Sequence, residues 1–511
     1  GSSCFCRCFS FVVARSLCAF VMKRSVIQSL IQQVSAVQGS SCPCHAPTRI
    51  PPSSLLSNHL QGSSLSSSSS LMASGEIASG EDYDYAFEMA SSTVRFGRGV
   101  TREVGMDVVN MAAKKILVVT DKNLSSLPSF QVLLDSLAQQ KVNFEVWDET
   151  RVEPTDESFH EAINVAKRVN PDLFIAFGGG SVIDTAKAAN LYATFPDAGF
   201  LDFVNAPIGK GLPVPGPLRP LIALPTTAGT GSETTGVSIF DYQPLQAKTG
   251  IGSKFLRPTI GIIDPNNSET MPAYVATASG FDVLCHALES YTALPYDRRP
   301  PRPTDPKYRP AYQGANPMSD IWSLVSLQRL GKYFYRSVED PEDKEAKEAM
   351  LLASTMAGVG FGNAGVHLAH GMSYAISGLN KRPHVQYKHN DYPLASHLIP
   401  HGISVCVTSP AIFKTTAHTD PERHMEAARA LGSEYEGKVN AESAGEVIHD
   451  TLLKYMDRLK VPLGLSEIGY KTDDIPDLVE GTLPQKRVTQ LSPEPATRDF
   501  LQGLFERSMK Y

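Results

Sequence analysis

The alternation of short apolar runs with helical patterns between Lys115 and Ala193 constrains this chain more than any other feature. Lys115-Ile116-Leu117-Val118-Val119-Thr120-Asp121 is an apolar run that ends in a turn-prone acid. Asn143-Phe144-Glu145-Val146-Trp147 and Leu173-Phe174-Ile175-Ala176-Phe177 follow it. Runs this short and this apolar read as strands of a sheet covered on both faces. Helical patterns at about residues 130–140 and 156–169 separate them, and a third reaches about residue 193. This rhythm calls for right-handed crossovers and a parallel sheet. Further strands are expected at Leu221-Ile222-Ala223-Leu224-Pro225 and at 259–263, after which Pro265 ends the α/β pattern.

Two turns in this half carry chemistry. Gly178-Gly179-Gly180-Ser181 runs from a strand into a helix that begins near Asp184. Glycines let the backbone approach a ligand, and a helix start offers free N–H groups to a phosphate. Thr226-Thr227-Ala228-Gly229-Thr230-Gly231-Ser232-Glu233 follows the next strand. Two such loops at strand C-terminal ends fall where open α/β sheets bind ligands. Their hydroxyls and N–H groups suit a pyrophosphate and ribose. Asp121 could accept from a ribose hydroxyl and would repel a 2′-phosphate, which favours NAD over NADP.

From Met271 the pattern turns helical. Helices are expected at about 273–293, from Asn316 on, and at 345–357, 421–431, 444–459 and 499–509. In Gly280-Phe281-Asp282-Val283-Leu284-Cys285-His286, Asp282 and His286 stand at i and i+4, on one helical face. A carboxylate and an imidazole so placed can share one divalent cation. His370, in Asn363-Ala364-Gly365-Val366-His367-Leu368-Ala369-His370, and His401, in Pro400-His401-Gly402, complete a set of one carboxylate and three imidazoles. That set suits Fe2+ or Zn2+. His367 is an alternative ligand three residues earlier. Residues 294–314 are rich in Pro and Arg and read as a long loop, from which one arginine could reach a substrate carboxylate.

With 511 residues the chain suits two or three domains. A net charge of −6 argues against nucleic-acid binding by bulk electrostatics. No apolar run reaches the ~18 residues of a membrane span. Of eight cysteines, only Cys285 and Cys406 lie beyond the N-terminal region, which speaks against a secreted disulfide framework. Before Glu76 there is no acidic residue, serine is abundant, and Val26, Ile27, Leu30, Ile31 and Val34 form an apolar stripe beside Lys23 and Arg24. This is the composition of a mitochondrial transit peptide. Residues 1–80 are therefore expected to be a presequence, 81–268 a dinucleotide-binding α/β domain, and 269–511 an all-helical metal-binding domain.

Together, the Gly-Gly-Gly-Ser turn with Asp184, the 225–233 loop, the Gly280–Glu289 stretch, the Asn363–His370 stretch and Pro400-His401-Gly402 resemble the iron-dependent (group III) alcohol dehydrogenases. The resemblance covers the chain from about residue 83. It implies a cleft between an α/β dinucleotide domain and an all-helical metal domain. It places the metal on Asp282, His286, His370 and His401, with Fe2+ favoured and Zn2+ acceptable. It implies dinucleotide contacts from Asp121, Gly178, Gly179, Gly180, Ser181, Asp184, Thr226, Thr227, Thr230, Ser232 and Lys254. Many relatives have a histidine four residues after the ligand matching His370, a proposed proton shuttle. Here Tyr374 stands there, so Tyr374 and His367 become the candidate catalytic groups.

Tyr83–Met89, Gly280–Tyr296, Arg309–Trp322 and Gly360–Leu379 are most similar to a mitochondrial branch of that family. This implies oxidation of 4-hydroxybutyrate to succinate semialdehyde, coupled through tightly held NAD(H) to reduction of 2-oxoglutarate to 2-hydroxyglutarate. The expected partners are small hydroxy and oxo acids, the compartment is the mitochondrial matrix, and assembly into a homo-oligomer is compatible. Two rivals remain: an alcohol dehydrogenase that releases NADH each turnover, and an inactive dinucleotide-binding protein. A dehydroquinate-synthase-like lyase would show a different ligand pattern.

Overall fold

The computed structural model describes residues 82–385, 387–388 and 398–511. The expected presequence lies outside the described residues. The strands, in chain order, are β1 Thr93–Phe96, β2 Lys115–Val119, β3 Asn143–Trp147, β4 Leu173–Gly178, β5 Leu221–Pro225, β6 Val237–Tyr242, β7 Ala247–Gly252 and β8 Ile260–Ile263. Six form one sheet in the order β1-β8-β5-β4-β2-β3, and every pair in it is parallel. β6 and β7 pair separately as an antiparallel hairpin.

Alternate residues explain why the central strands β2, β4 and β5 are almost wholly apolar. Ile116, Val118, Leu173, Ile175, Ile222 and Leu224 pack with Phe130, Leu133 and Leu137 of the Pro128–Gln139 helix. Leu117, Val119, Phe174, Ala176 and Ala223 face the other way, against Ala162 and Ala166 of Asp156–Val169 and Ile183 and Ala186 of Gly180–Thr194. A strand buried on both faces has no polar side to show.

Strand order then locates the ligand crevice. β2 continues to β3 on one side, while β4 lies on its other side and the chain runs on to β5. The order reverses between β2 and β4, and ligands bind beyond the strand ends at such a reversal. Asp121 just follows β2, and Gly178 ends β4. The register therefore sets the acid and the glycine turn side by side.

After β8 the described chain is helical, beginning with Ala273–Thr292, Pro317–Glu339 and Lys344–Ala364 and ending with Arg498–Arg507. No single described helix is long and apolar enough to cross a membrane. Asn316 caps Pro317–Glu339 by accepting from the Ser319 N–H at 3.0 Å, as its place before Pro317 suggests. Residues 294–314 form the expected loop, but its arginines serve another purpose. Arg299 and Arg309 both bind the buried Asp84 carboxylate, at 3.0 Å each, and fasten the first described residues to the helical half. No residue of this loop up to Arg309 lines either cavity of the cleft. The solvated basic loop, the favoured reading of this stretch over a substrate-binding arginine, agrees with this placement, and the buried acid holds two of the arginines.

Candidate functional site

Two further helices bring ligand atoms to the one that carries Asp282 and His286. From Asp282 Oδ1, His370 Nε2 lies at 3.5 Å, His401 Nε2 at 3.6 Å and His286 Nε2 at 3.7 Å. Four donors about 2.1 Å from one ion stand about 3.4 Å apart in a tetrahedron. Asp282 Oδ1 and His370 Nε2 are buried and have no hydrogen-bond partner. Buried polar atoms left unpaired in a group otherwise fit to chelate are what a cation would satisfy. The tightest cluster comprises Asp282, His370 and His401, with ligand atoms within 4.8 Å of one another. His286 stands at its edge, its ring stacked flat on Phe361 at 3.9 Å.

Electrostatics favour the ligand-ready state at three positions, among them His401, whose pKa burial lowers. Burial would raise the Asp282 carboxyl, but His286, His401 and His370 outweigh it and hold it well below the usual carboxylate range. Burial holds His286 neutral, with its pKa lowered to about 3. His370 goes the other way. Burial lowers it, yet Glu289 and Asp282 raise it to about 9.

Glu289 was not singled out from the sequence, although it lies seven residues after Asp282 on the same helix. It is fully buried. Its Oε1 accepts from the N–H groups of His367 at 3.0 Å and Ala369 at 2.6 Å, capping the Leu368–Gly378 helix. Its Oε2 binds His370 Nδ1 and fixes that ring with Nε2 toward Asp282. His367 is not brought to the cleft. Its Nε2 pairs with the Thr292 hydroxyl at 3.2 Å, and it lines neither cavity.

Two cavities meet at the cluster. The larger, of about 420 Å³, is lined by Asp121, Gly179, Gly180, Ser181, Thr226, Thr227 and Thr230, together with Asp282 and His401. A Cβ on Gly180 would stand 2.4 Å from Thr230 Cγ2, so only glycine lets the two loops approach this closely. The Gly180–Thr194 helix has no side-chain cap, which leaves its first N–H groups to a ligand. The volume lies in the range of small-molecule and cofactor pockets, about 300–1,000 Å³.

Four expected cofactor residues sit elsewhere. Gly178 lies behind this lining, where a Cβ would meet Val182 at 2.4 Å. Lys254 faces Glu88 at 3.6 Å and lines neither cavity. Asp184 and Ser232 hydrogen-bond each other at 2.5 Å, and the buried Lys187 ammonium donates to Ser232 at 2.6 Å and to the Val237 carbonyl at 2.8 Å. They brace the glycine turn against the second loop and line only the smaller cavity.

That smaller cavity, of about 100 Å³, is lined by Asp282, His286, His370 and His401, by Tyr312 and Tyr374, and by Glu153 and Lys248. Lys248, on the hairpin, is buried and paired with Glu153. Burial would lower its pKa, but Asp241 and Glu153 raise it, so the ammonium stays charged. Tyr374 follows His370 by one helical turn, and its hydroxyl accepts from Arg487 Nη2 at 2.9 Å. The hairpin residues and Arg487 lie outside every motif, and only the tertiary fold brings them here.

Comparison with known proteins agrees with this architecture. Residues 91–265 match the family described as iron-containing alcohol dehydrogenase, and 311–389 and 391–509 match the C-terminal region of the Fe-containing alcohol dehydrogenase family. The chain is 57% identical to a mitochondrial hydroxyacid-oxoacid transhydrogenase of Bos taurus, over 86% of this chain and 93% of that protein. It is 56% identical to that of Homo sapiens, over 86% of this chain and 93% of the relative. Among solved structures, 1,3-propanediol oxidoreductase superposes with a TM-score of 0.71 at 23% identity, covering 83% of this chain and all (100%) of that one. The likeness to that structure is one of fold, whereas the sequence matches extend across both halves of the cleft. With sheet, helical half and ligand cluster all in agreement, the chain belongs to the iron-containing alcohol dehydrogenase family.

Proposed function

We propose that this protein is a mitochondrial hydroxyacid-oxoacid transhydrogenase. It oxidises 4-hydroxybutyrate to succinate semialdehyde and reduces 2-oxoglutarate to 2-hydroxyglutarate through a retained NAD(H). The observation that carries the reading is the position of the Asp282, His370 and His401 cluster where a cofactor-sized cavity meets a small one. The identity to transhydrogenases across both halves supports it.

Asp282, His286, His370 and His401 would hold one divalent cation, Fe2+ before Zn2+, a Lewis acid that eases loss of an alcohol proton. NAD(H) supplies the hydride acceptor in one half-reaction and the donor in the other. Gly179, Gly180 and Ser181 would receive the pyrophosphate, Thr226, Thr227 and Thr230 would flank it, and Asp121 would take a ribose hydroxyl. Tyr374 belongs to the small cavity, where the two acids alternate. His367 serves to pack behind Glu289. The sum is a balanced two-electron exchange: each hydroxy acid oxidised yields one hydroxy acid from the oxo acid, with no net NADH.

The test is turnover without added cofactor. Purified protein given both acids should form succinate semialdehyde and 2-hydroxyglutarate in equal amounts. Steady NADH release from 4-hydroxybutyrate and added NAD, independent of the oxo acid, would show a simple dehydrogenase instead.

A further inference from the structure

Arg487 has no acidic partner among the described residues. Among the described residues its neighbours are tyrosines: Nη2 donates to the Tyr374 hydroxyl at 2.9 Å, and the guanidinium lies 5.2 Å from the Tyr312 ring centroid. Its Nη1 is buried and, beside the Tyr312 and Tyr374 side chains, has no partner at hydrogen-bond geometry among the described residues. A buried guanidinium N–H left unpaired is costly, and a carboxylate satisfies it better than any other group. Lys248, the other cation nearby, is already matched by Glu153 and lies 3.5 Å from Asp241.

Arg487 lines a pocket of about 180 Å³ beside the hairpin, and Tyr374 lines both that pocket and the small cavity at the Asp282 cluster. Tyr374 is thus a wall that the two spaces share. It stands one helical turn after His370 on the Leu368–Gly378 helix. An open-chain acid whose reacting oxygen is four bonds from its carboxyl carbon spans about 5 Å.

We infer that Arg487, presented through Tyr374, receives the carboxylate of the substrate distal to the reacting oxygen and so selects hydroxy and oxo acids over plain alcohols. The inference rests on the transhydrogenase reading above. It also explains how one site serves both half-reactions. In 4-hydroxybutyrate the hydroxyl oxygen is four bonds from the carboxyl carbon. In 2-oxoglutarate the keto oxygen is four bonds from the distal carboxyl carbon. One cation at a fixed reach fits both.

The experiment compares holoenzyme and variants on 4-hydroxybutyrate and on 1-butanol, which has the same chain length and no charge. In Arg487→Gln the ratio of kcat/KM for the acid to that for the alcohol should fall about 100-fold. Arg487→Lys should recover part of it. Butyrate, which carries the carboxylate alone, should raise the Tm of the wild type but not of Arg487→Gln. If Arg487→Gln does not fold, Tyr374→Phe, which removes only the hydroxyl, should still lower the ratio. A ratio that stays within about threefold of wild type in the folded variants, or a butyrate shift that survives in Arg487→Gln, overturns the inference. A wild type that turns over both acids while Arg487 proves dispensable sinks this inference alone. A wild type that ignores the acids and oxidises butanol sinks the functional reading itself.

Discussion

Glu289 Oε2 binds Nδ1 of His370 while Glu289 Oε1 caps the helix that carries it. One buried carboxylate therefore sets both the position and the ring orientation of a ligand. Burial would raise this carboxyl, but His370 and His367 hold it below its ordinary value, so it remains an acceptor. Carboxylate partners of this kind are worth about 10–100-fold in metal affinity. Glu289→Gln keeps the shape and removes the charge. It should lose metal by about that factor, read by chelator competition against the wild type.

The approach of His401 depends on a glycine. A Cβ on Gly402 would stand 1.8 Å from the Ala278 carbonyl and 3.0 Å from the Asp282 nitrogen. The His401–Cys406 helix thus lies backbone to backbone on the helix of Asp282. Gly402→Ala must push the two apart. Overpacking of this kind costs about 1–3 kcal/mol, and here it also moves a ligand. The variant should melt lower and bind metal more weakly than the wild type. Gly216→Ala, where nothing lies within 4 Å of the new Cβ, is the control and should change neither.

Cofactor choice should turn on Asp121. Its Oδ1 is held by the N–H groups of Asn123 at 2.8 Å and Leu124 at 3.0 Å, so the turn fixes the carboxylate at the cavity wall. A 2′-phosphate there would meet like charge, which is strongly unfavourable in a confined site. Asp121→Ala should raise the preference for NADP over NAD by about 10-fold or more, measured as the ratio of binding constants. An unchanged ratio would remove Asp121 from the ribose site.

Much of this was legible in the sequence because it is local. Buried parallel strands are apolar at every position, so β2, β4, β5 and β8 stand out, and the helix of Asp282 and His286 declares itself by spacing. β1 and the β6–β7 hairpin did not: Thr93–Phe96 is short and half-exposed, and the hairpin alternates with charged residues such as Asp241 and Lys248. At the site, the side chains that cluster around Asp282 were readable but the groups that support them were not. Glu289 reads as one more helix acid until its burial is known. Asp184 and Ser232 read as ligand contacts, and only the fold adds the Lys187 ammonium that bonds both. Arg487 acquires meaning only from what surrounds it in three dimensions.

The two cysteines among the described residues, Cys285 and Cys406, should be inert at neutral pH. Cys285 is 0% and Cys406 2% exposed. Burial pushes both thiols up, Cys285 further beside Cys406, against a hydrogen bond with Ser409. The thiolate is the reactive, charged form, and burial disfavours it. A raised pKa leaves each group protonated through the range in which an exposed thiol ionises, near pH 8.5. Alkylation at Cys285 and Cys406, read by peptide mapping so that the N-terminal cysteines do not interfere, should stay flat from about pH 7 to about pH 9 in the native protein. In denaturant it should climb steeply over the same range. A native rate that climbs in parallel would mean that the helical core opens readily enough to expose Cys285, one turn from Asp282, and the rigid ligand geometry would not survive that result.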